Sequence, residues 1–283
     1  MDKKNQPIGV FDSGLGGLTV VKELTRCLPF EDIVYYGDTA RVPYGTKSRE
    51  SILQFSKENT EILIRHNVKM VIVACNTSSS YALTLLKEEF NLPILGVIAP
   101  GIRRALKITQ NKRVGVIATS ATIKSESYAR RIFEADPKVK VVSSACPLFV
   151  PVVESGWGNK KIASDIAYEY LKPLIKARID TLILGCTHYP LLKTTLKKVM
   201  GKKVHLVDSA KELASEVKNI LEKLNWQQMA RRKPQYYFLV SDEPQDFKKI
   251  AMRFLKTKIA IDFKKYIPKV NTEFVKELEA AHV

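Results

Sequence analysis

Long apolar segments are missing from this sequence of 283 residues. No run of about 18 uncharged apolar residues is present, which argues against a membrane-spanning helix. The first residues, MDKKNQPIGVFDSG, contain two lysines but lack the apolar stretch of a secretory signal peptide. We therefore expect a protein that is not associated with a membrane and is located in the cytoplasm.

Cysteine is scarce, at four residues in the whole chain. This is too few for a disulfide scaffold, and no CxxC pair is present. The four histidines also lack the spacing of metal ligands, so we expect no structural zinc site. Cys27 and Cys146 are interpreted as small buried apolar side chains.

Acidic residues are few relative to basic ones, with 29 Asp and Glu against 46 Lys and Arg and a net charge of +17. Residues 1–100 are balanced, whereas residues 101–200 carry 18 basic and 7 acidic side chains. Such an excess is compatible with binding to nucleic acid or another polyanion. The basic residues are scattered along helix faces such as KTTLKKVMGKK, without interleaved aromatic residues. We therefore favour a solvated basic surface, with weak and non-specific nucleic-acid binding at most.

Short apolar runs alternate with amphipathic stretches along the chain. The amphipathic stretches at 51–67, 161–177, 209–225 and 245–257 predict helices, and residues 271–283 are expected to be peripheral. This alternation predicts an α/β protein with mainly parallel sheets, because parallel strands require crossover connections. The predicted strands are 8–11, 33–36, 70–74, 94–97, 114–118, 139–144, 181–185, 204–207 and 236–240.

An internal repeat relates two parts of the chain. Three segments recur in the same order at offsets of about 106 to 111 residues, as expected for a duplicated structural unit. Chance similarity among apolar strands is the alternative. The repeat predicts two pseudo-symmetric α/β lobes with a cleft between them, the first formed by 1–97 plus 208–283 and the second by 98–207. The matched pairs are 8–17 with 114–123, 70–77 with 181–188, and 94–100 with 204–210.

Cys75 and Cys186 occupy equivalent places in this repeat, each between an apolar strand and a predicted helix. Ligands of open parallel sheets bind outside the carboxyl ends of the strands. The N-terminus of a helix also lowers the pKa of a nearby thiol. We therefore predict that these two cysteines act as acid and base. Asn76, Thr77 and Thr187 follow them and are suited to binding an anion, although helix capping is an alternative role.

Four further places are candidates for chemistry. Asp12 and Ser13 precede a glycine-rich turn that lacks the third glycine of a dinucleotide fingerprint, so a cysteine or a substrate ammonium group is the better partner of Asp12. An N-cap role is the alternative. The segment Pro43-Tyr44-Gly45 is expected to close over a ligand with a tyrosine hydroxyl and a backbone N–H, or to be an ordinary turn. Glu154 and His188 are possible proton partners, against surface and structural alternatives.

Four motifs together, FDSGLGGLTV, GDTARVPYG, ACNTSS and GCTHYPLL, resemble those of the cofactor-independent glutamate racemases. The resemblance covers roughly residues 7–256, and the set of motifs is highly specific. It implies two α/β lobes, an active site between them, glutamate as substrate, no cofactor, no metal and a homodimer. The +17 charge is not explained by these motifs.

The resemblance also implies residue roles. Cys75 is expected to deprotonate D-glutamate with help from Asp12, and Cys186 to deprotonate L-glutamate with help from Glu154 and His188. D-Glutamate is expected to feed peptidoglycan synthesis. Aspartate racemase is the nearest alternative, although those enzymes tend to carry a glutamate where His188 stands. A non-catalytic protein that binds anions or nucleic acid is the alternative from another class. The expected substrate contacts are Asp12, Ser13, Tyr44, Gly45, Asn76, Thr77, Thr119, Thr122, Thr187 and His188.

Overall fold

The computed structural model describes residues 2–242, 247–255 and 263–266. Apolar runs form strands within this part of the chain, and amphipathic segments form helices. The strands are β1 Ile8–Asp12, β2 Ile33–Gly37, β3 Met70–Val73, β4 Ile94–Gly96, β5 Arg113–Ala118, β6 Lys140–Ala145, β7 Thr181–Gly185, β8 His205–Asp208, β9 Tyr236–Val240 and β10 Phe263–Lys265.

Apart from a 3₁₀ helix that precedes β1, the described helices lie in the connections between the strands. The short 3₁₀ helices of the described residues cover Lys3–Asn5, Thr39–Arg41, Tyr44–Thr46 and Tyr189–Leu192. The α-helices are α1 Leu18–Cys27, α2 Arg49–Arg65, α3 Asn76–Tyr81, α4 Leu83–Glu89, α5 Ile98–Ile108, α6 Ser120–Lys124, α7 Ser127–Ala135, α8 Phe149–Glu154, α9 Lys161–Lys176, α10 Lys193–Met200, α11 Ser209–Lys223 and α12 Phe247–Leu255.

The strands form two sheets in which all described neighbours are parallel. The first sheet has the order β10-β9-β2-β1-β3-β4, and the second has the order β6-β5-β7-β8. In the first sheet, Ile8 of β1 is in register with Ile33 of β2 and with Met70 of β3. All residues of β1, β2, β3 and β7 are buried, as expected for strands covered by helices on both faces. The predicted α/β class is confirmed.

The two sheets share one arrangement, which accounts for the sequence repeat. Strands β2-β1-β3-β4 of the first sheet correspond in order to β6-β5-β7-β8 of the second. The three repeated segments therefore fall on β1 and β5, on β3 and β7, and on β4 and β8. β9 pairs with β2 and extends the first sheet. The exact lobe boundaries, at 97/98 and 207/208, stay a prediction.

A shared core joins the two lobes. Helix α11 packs against α1 and α5, and one cluster of buried side chains includes Leu18 of α1, Leu213 of α11 and Leu182 of β7. Burial of one such leucine contributes about 1.5–3 kcal/mol relative to exposure, so this cluster holds the lobes together.

The structure differs from the sequence prediction near the end of the chain. No strand was predicted at Phe263–Lys265, yet β10 pairs with β9 there. Two of its three residues are lysines, so this edge strand lacks the apolar run that marks the others. The predicted helix at 245–257 is described for Phe247–Leu255, and the predicted peripheral segment 271–283 lies outside the described residues. No helix in the described residues is long and apolar enough to span a membrane.

Candidate active site

Most of the residues predicted to act in chemistry lie at the carboxyl ends of the central strands of both sheets, whereas Glu154 ends α8 and Tyr44 and Gly45 lie in a 3₁₀ helix. In the first sheet, Asp12 ends β1 and Cys75 follows β3. In the second sheet, Thr119 follows β5 and Cys186 follows β7. The strand ends of the two lobes are in contact: the hydroxyl of Thr187, in the second lobe, lies 3.5 Å from the carboxylate of Asp12, in the first. This is the place where open parallel sheets bind their ligands.

Cys75 is buried at the N-cap of α3, and its Sγ lies 3.7 Å from the Ser13 hydroxyl. The expected depression of its thiol pKa is wrong. Burial raises the pKa of Cys75 to about 11, and the Asp12 carboxylate acts in the same direction. Interactions with Ser78 and Ser13 lower the pKa but are outweighed. The Cys75 sulfur therefore carries its proton at neutral pH in this arrangement.

Cys186 belongs to a line of three side chains. Its Sγ lies 3.8 Å from Nδ1 of His188, and Nε2 of His188 lies 2.9 Å from Oε1 of Glu154. Cys186 and His188 are buried, whereas the Glu154 side chain is 41% exposed. Burial lowers the pKa of His188, but the interactions with Cys186 and Glu154 outweigh it and raise that pKa to about 10. A protonated imidazole is thus placed to stabilise negative charge on the Cys186 sulfur.

Asp12 is fully buried between the lobes. Burial raises the pKa of its carboxyl, while the charge of His188 and the N–H groups of Gly17 and Gly14 oppose this effect. The N–H of Gly14 donates a hydrogen bond of 3.1 Å to Oδ2 of Asp12. The glycine-rich turn, which resembles a nucleotide fingerprint, therefore provides a donor to this carboxylate. Gly16 is required there, because a Cβ on it would lie only 2.1 Å from the Thr187 hydroxyl.

Three threonines from both lobes form one hydrogen-bonded group. The Thr77 hydroxyl lies 3.0 Å from that of Thr119 and 3.1 Å from that of Thr122, and the last two are 3.0 Å apart. Thr119 caps α6 and also contacts Gly45 of the first lobe. A Cβ added to Gly45 would lie 2.7 Å from the Cβ of Thr119. Each of the three bonds uses one hydroxyl proton, so in this arrangement the hydroxyls satisfy one another across the two lobes.

Asn76 faces the second lobe from the first turn of α3. Tyr128, on α7, donates a hydrogen bond of 2.7 Å to its side-chain oxygen. A small cavity of about 10 Å³ next to it is lined by residues of both lobes, including Asn76 and Cys186. The structure thus brings the residues that follow both cysteines to one place.

The Tyr44 hydroxyl does not have the predicted role. It is buried and donates to the Asp38 carboxylate, and Asn59 donates to it at 3.0 Å. Arg41 also donates to Asp38, at 2.7 Å, so this carboxylate organises the loop. Tyr44 can therefore offer only its backbone to a ligand, together with Gly45.

Several residues at the site were not predicted from the sequence. Asp38 directly follows strand β2, much as Asp12 ends strand β1, and this pattern was a signal for it. Phe254 packs edge-on against the His188 ring at 5.2 Å, and Arg253 donates to the backbone oxygen of Glu154 at 3.1 Å. No local pattern marks these two residues or Tyr128, because their partners are distant in the sequence.

Comparison with known proteins agrees with this geometry. A family model described as Asp/Glu/hydantoin racemase matches residues 8–217. A glutamate racemase of Geobacter metallireducens is 48% identical over 252 residues, covering 89% of this chain and 93% of the relative. The chain belongs to the glutamate racemases of this family. The resemblance seen in its motifs is confirmed, and the racemase is an isomerase.

Solved structures of glutamate racemases share its fold. That of the Francisella tularensis enzyme, in complex with D-glutamate, has a TM-score of 0.87 and 39% identity, covering 93% of this racemase and 98% of that chain. The RacE1 isoform of Bacillus anthracis has a TM-score of 0.89 and 41% identity, covering 94% of this racemase and 100% of that chain. The predicted two-lobe α/β architecture therefore agrees with solved members of the family.

Proposed function

We propose that this racemase interconverts L- and D-glutamate at a single site, with Cys75 and Cys186 as the two bases and without a cofactor. The observation that carries the proposal is the equivalence of the two thiols, which follow corresponding strands of two sheets related by the repeat. Two groups on opposite walls of one cleft can reach opposite faces of the same α-carbon.

In the reaction the α-carbon loses one proton on one face and receives another proton on the opposite face. With D-glutamate bound, the Cys75 thiolate removes the α-proton, and the Cys186 thiol donates its proton to the opposite face. When L-glutamate is released, Cys75 is protonated and Cys186 is a thiolate beside the His188 imidazolium, whose Nδ1 lies 3.8 Å from the sulfur. The reverse reaction starts from that state. Because burial raises the pKa of Cys75 to about 11, its protonated form is the stable one in the free site.

The intermediate is stabilised by donors near the substrate carboxylate. Loss of the α-proton spreads negative charge onto that carboxylate, which we place among Asn76, Thr77 and Thr187. The three are buried, so their hydrogen bonds act where water is largely excluded and are stronger than in solvent. Ser13, Thr119, Thr122 and the backbone of Tyr44 and Gly45 supply the remaining contacts.

Replacement of each cysteine tests the mechanism. Cys75→Ala and Cys186→Ala are each expected to abolish racemisation, followed as the change in circular dichroism of L- and of D-glutamate. Cys146→Ala is the matched control, because Cys146 is also buried but lies near the Ser144 carbonyl, at 3.6 Å. Near wild-type interconversion by Cys186→Ala would show that the mechanism is wrong.

Glutamate is proposed as the substrate, and aspartate is the alternative. The relatives with 42–48% identity named as glutamate racemases favour glutamate, and so does His188 after the second cysteine. Assay of both L-amino acids decides between them: faster racemisation of L-aspartate than of L-glutamate would refute the assignment. In the cytoplasm, D-glutamate from this reaction would supply peptidoglycan synthesis.

A homodimer is also proposed, and sedimentation at several protein concentrations tests it. The charge of +17 is expected to give only weak nucleic-acid binding. A mobility shift that persists at high salt would contradict this expectation, because binding through scattered charges is lost as salt rises.

A further inference from the structure

Tyr128 contacts both halves of the site with one side chain. Its hydroxyl donates to Oδ1 of Asn76 at 2.7 Å, and Asn76 follows Cys75 directly. Its ring packs against Gly185, the residue before Cys186, where an added Cβ would lie 3.2 Å from Cε2 of the ring. Tyr128 is itself buried, at 2% exposure. Tyr128 is not among the substrate contacts predicted from the sequence.

The Tyr128 hydroxyl is the donor in its hydrogen bond with Asn76. Burial raises the pKa of Tyr128, the Ser209 side chain opposes this effect and the charge of Cys186 adds to it, so the phenol keeps the proton that it donates. The distance of 2.7 Å is the usual length of an O–H···O bond. The amide oxygen of Asn76 is therefore occupied, and its two N–H donors are left for another partner.

We propose that Tyr128 is a positioning residue for racemisation: it holds the Asn76 amide with its N–H donors turned toward the substrate carboxylate. Without this bond the amide can rotate and present oxygen lone pairs to an anion, which repels it. The inference rests on the proposed function, because it requires a carboxylate near Asn76. Tyr128 itself acts through Asn76.

A double-mutant cycle tests this coupling. Tyr128→Phe keeps the ring against Gly185 and removes only the hydroxyl, and we expect kcat/KM for glutamate to fall between about 10- and 100-fold. Asn76→Ala removes the positioned amide. In the Asn76→Ala background, Tyr128→Phe is expected to change kcat/KM less than about twofold, because its target is gone. An equal fall in both backgrounds would overturn the proposal.

Two further variants separate positioning from a structural role. Tyr81→Phe is the matched control: the Tyr81 hydroxyl also joins the lobes, donating to the Ala121 oxygen at 3.0 Å, but does not touch Asn76. It is expected to retain near wild-type kcat/KM, and a loss as large as that of Tyr128→Phe would refute the proposal. Asn76→Asp still accepts from Tyr128 but turns an anion toward the substrate, so its kcat/KM should fall below that of Asn76→Ala. The opposite order would also refute it.

The wild-type assay distinguishes a failure of the proposed function from a failure of the proposed role of Tyr128. Absence of glutamate racemisation by the wild-type protein would refute the proposed function itself. An active wild-type enzyme with an uncoupled cycle would refute the role of Tyr128 alone.

Discussion

Glu154→Gln is expected to lower the pKa of His188 by about one unit. In the wild-type protein that pKa is raised to about 10, against the effect of burial, by Cys186 and by the Glu154 carboxylate 2.9 Å away. A hydrogen bond to a charged group is worth about 1.5–3 kcal/mol, and the 41% exposure of Glu154 argues for the low end. One pKa unit corresponds to about 1.4 kcal/mol, which gives the predicted shift.

NMR titration of the imidazole ring measures this pKa directly. The sequence has only four histidines, and the signal that disappears in a His188→Asn variant identifies the one of interest. Glu216→Gln is the matched control, because it removes a carboxylate that pairs with Arg103 at the surface. A His188 midpoint that stays near the wild-type value in Glu154→Gln, or that moves equally in the control, would refute the reasoning.

The same shift has a consequence for stability, with a definite sign. The pKa of His188 in the folded protein lies above its ordinary value of 6.5, so the favourable contribution of this group to stability is complete below pH 6.5 and is lost as the pH rises through about 10. Glu154→Gln is therefore expected to be less stable than the wild type near neutral pH, by about 1 kcal/mol, and to approach it above pH 10. Urea unfolding at several pH values checks this dependence.

Two other substitutions test the packing of the site and of the first lobe. Gly16→Ala places a Cβ against the Thr187 hydroxyl, so the neighbouring side chains have to shift, and we expect kcat/KM to fall on the order of 100-fold together with a lower melting temperature. Wild-type activity would contradict the close approach of the lobes. Lys69→Met leaves the buried Glu31 without its cation, 2.5 Å away, and should destabilise the protein by about 3–5 kcal/mol in urea unfolding. Lys218→Met, at an exposed pair, should cost less than about 0.5 kcal/mol, and an equal cost at both sites would refute this difference.

The sequence was informative where short-range patterns determine structure. Strands of parallel sheets covered by helices tend to be continuous apolar runs, and the nine predicted strands agree with the described ones to within one residue at each end. The repeat predicted which strands correspond, and therefore placed Cys75 and Cys186 at equivalent strand ends. The motifs then led to the family that the comparisons show.

Features that depend on contacts between distant segments were not predictable. The thiol pKa of Cys75 is set by burial and by Asp12, 63 residues earlier, rather than by its own helix. The Tyr44 hydroxyl is held by Asp38 and Asn59, which a local reading of the turn does not reveal.

The fate of the α-proton in heavy water tests the two-base mechanism most directly. Starting from L-glutamate without added cofactor, the account predicts that D-glutamate carries deuterium at the α-carbon from the first turnover, while the remaining L-glutamate keeps its proton at early times. The reason is that Cys186 removes the proton and Cys75, equilibrated with solvent, supplies a deuteron from the other face. D-Glutamate that retains the original proton, or equal early labelling of both enantiomers, would contradict a pair of separate bases.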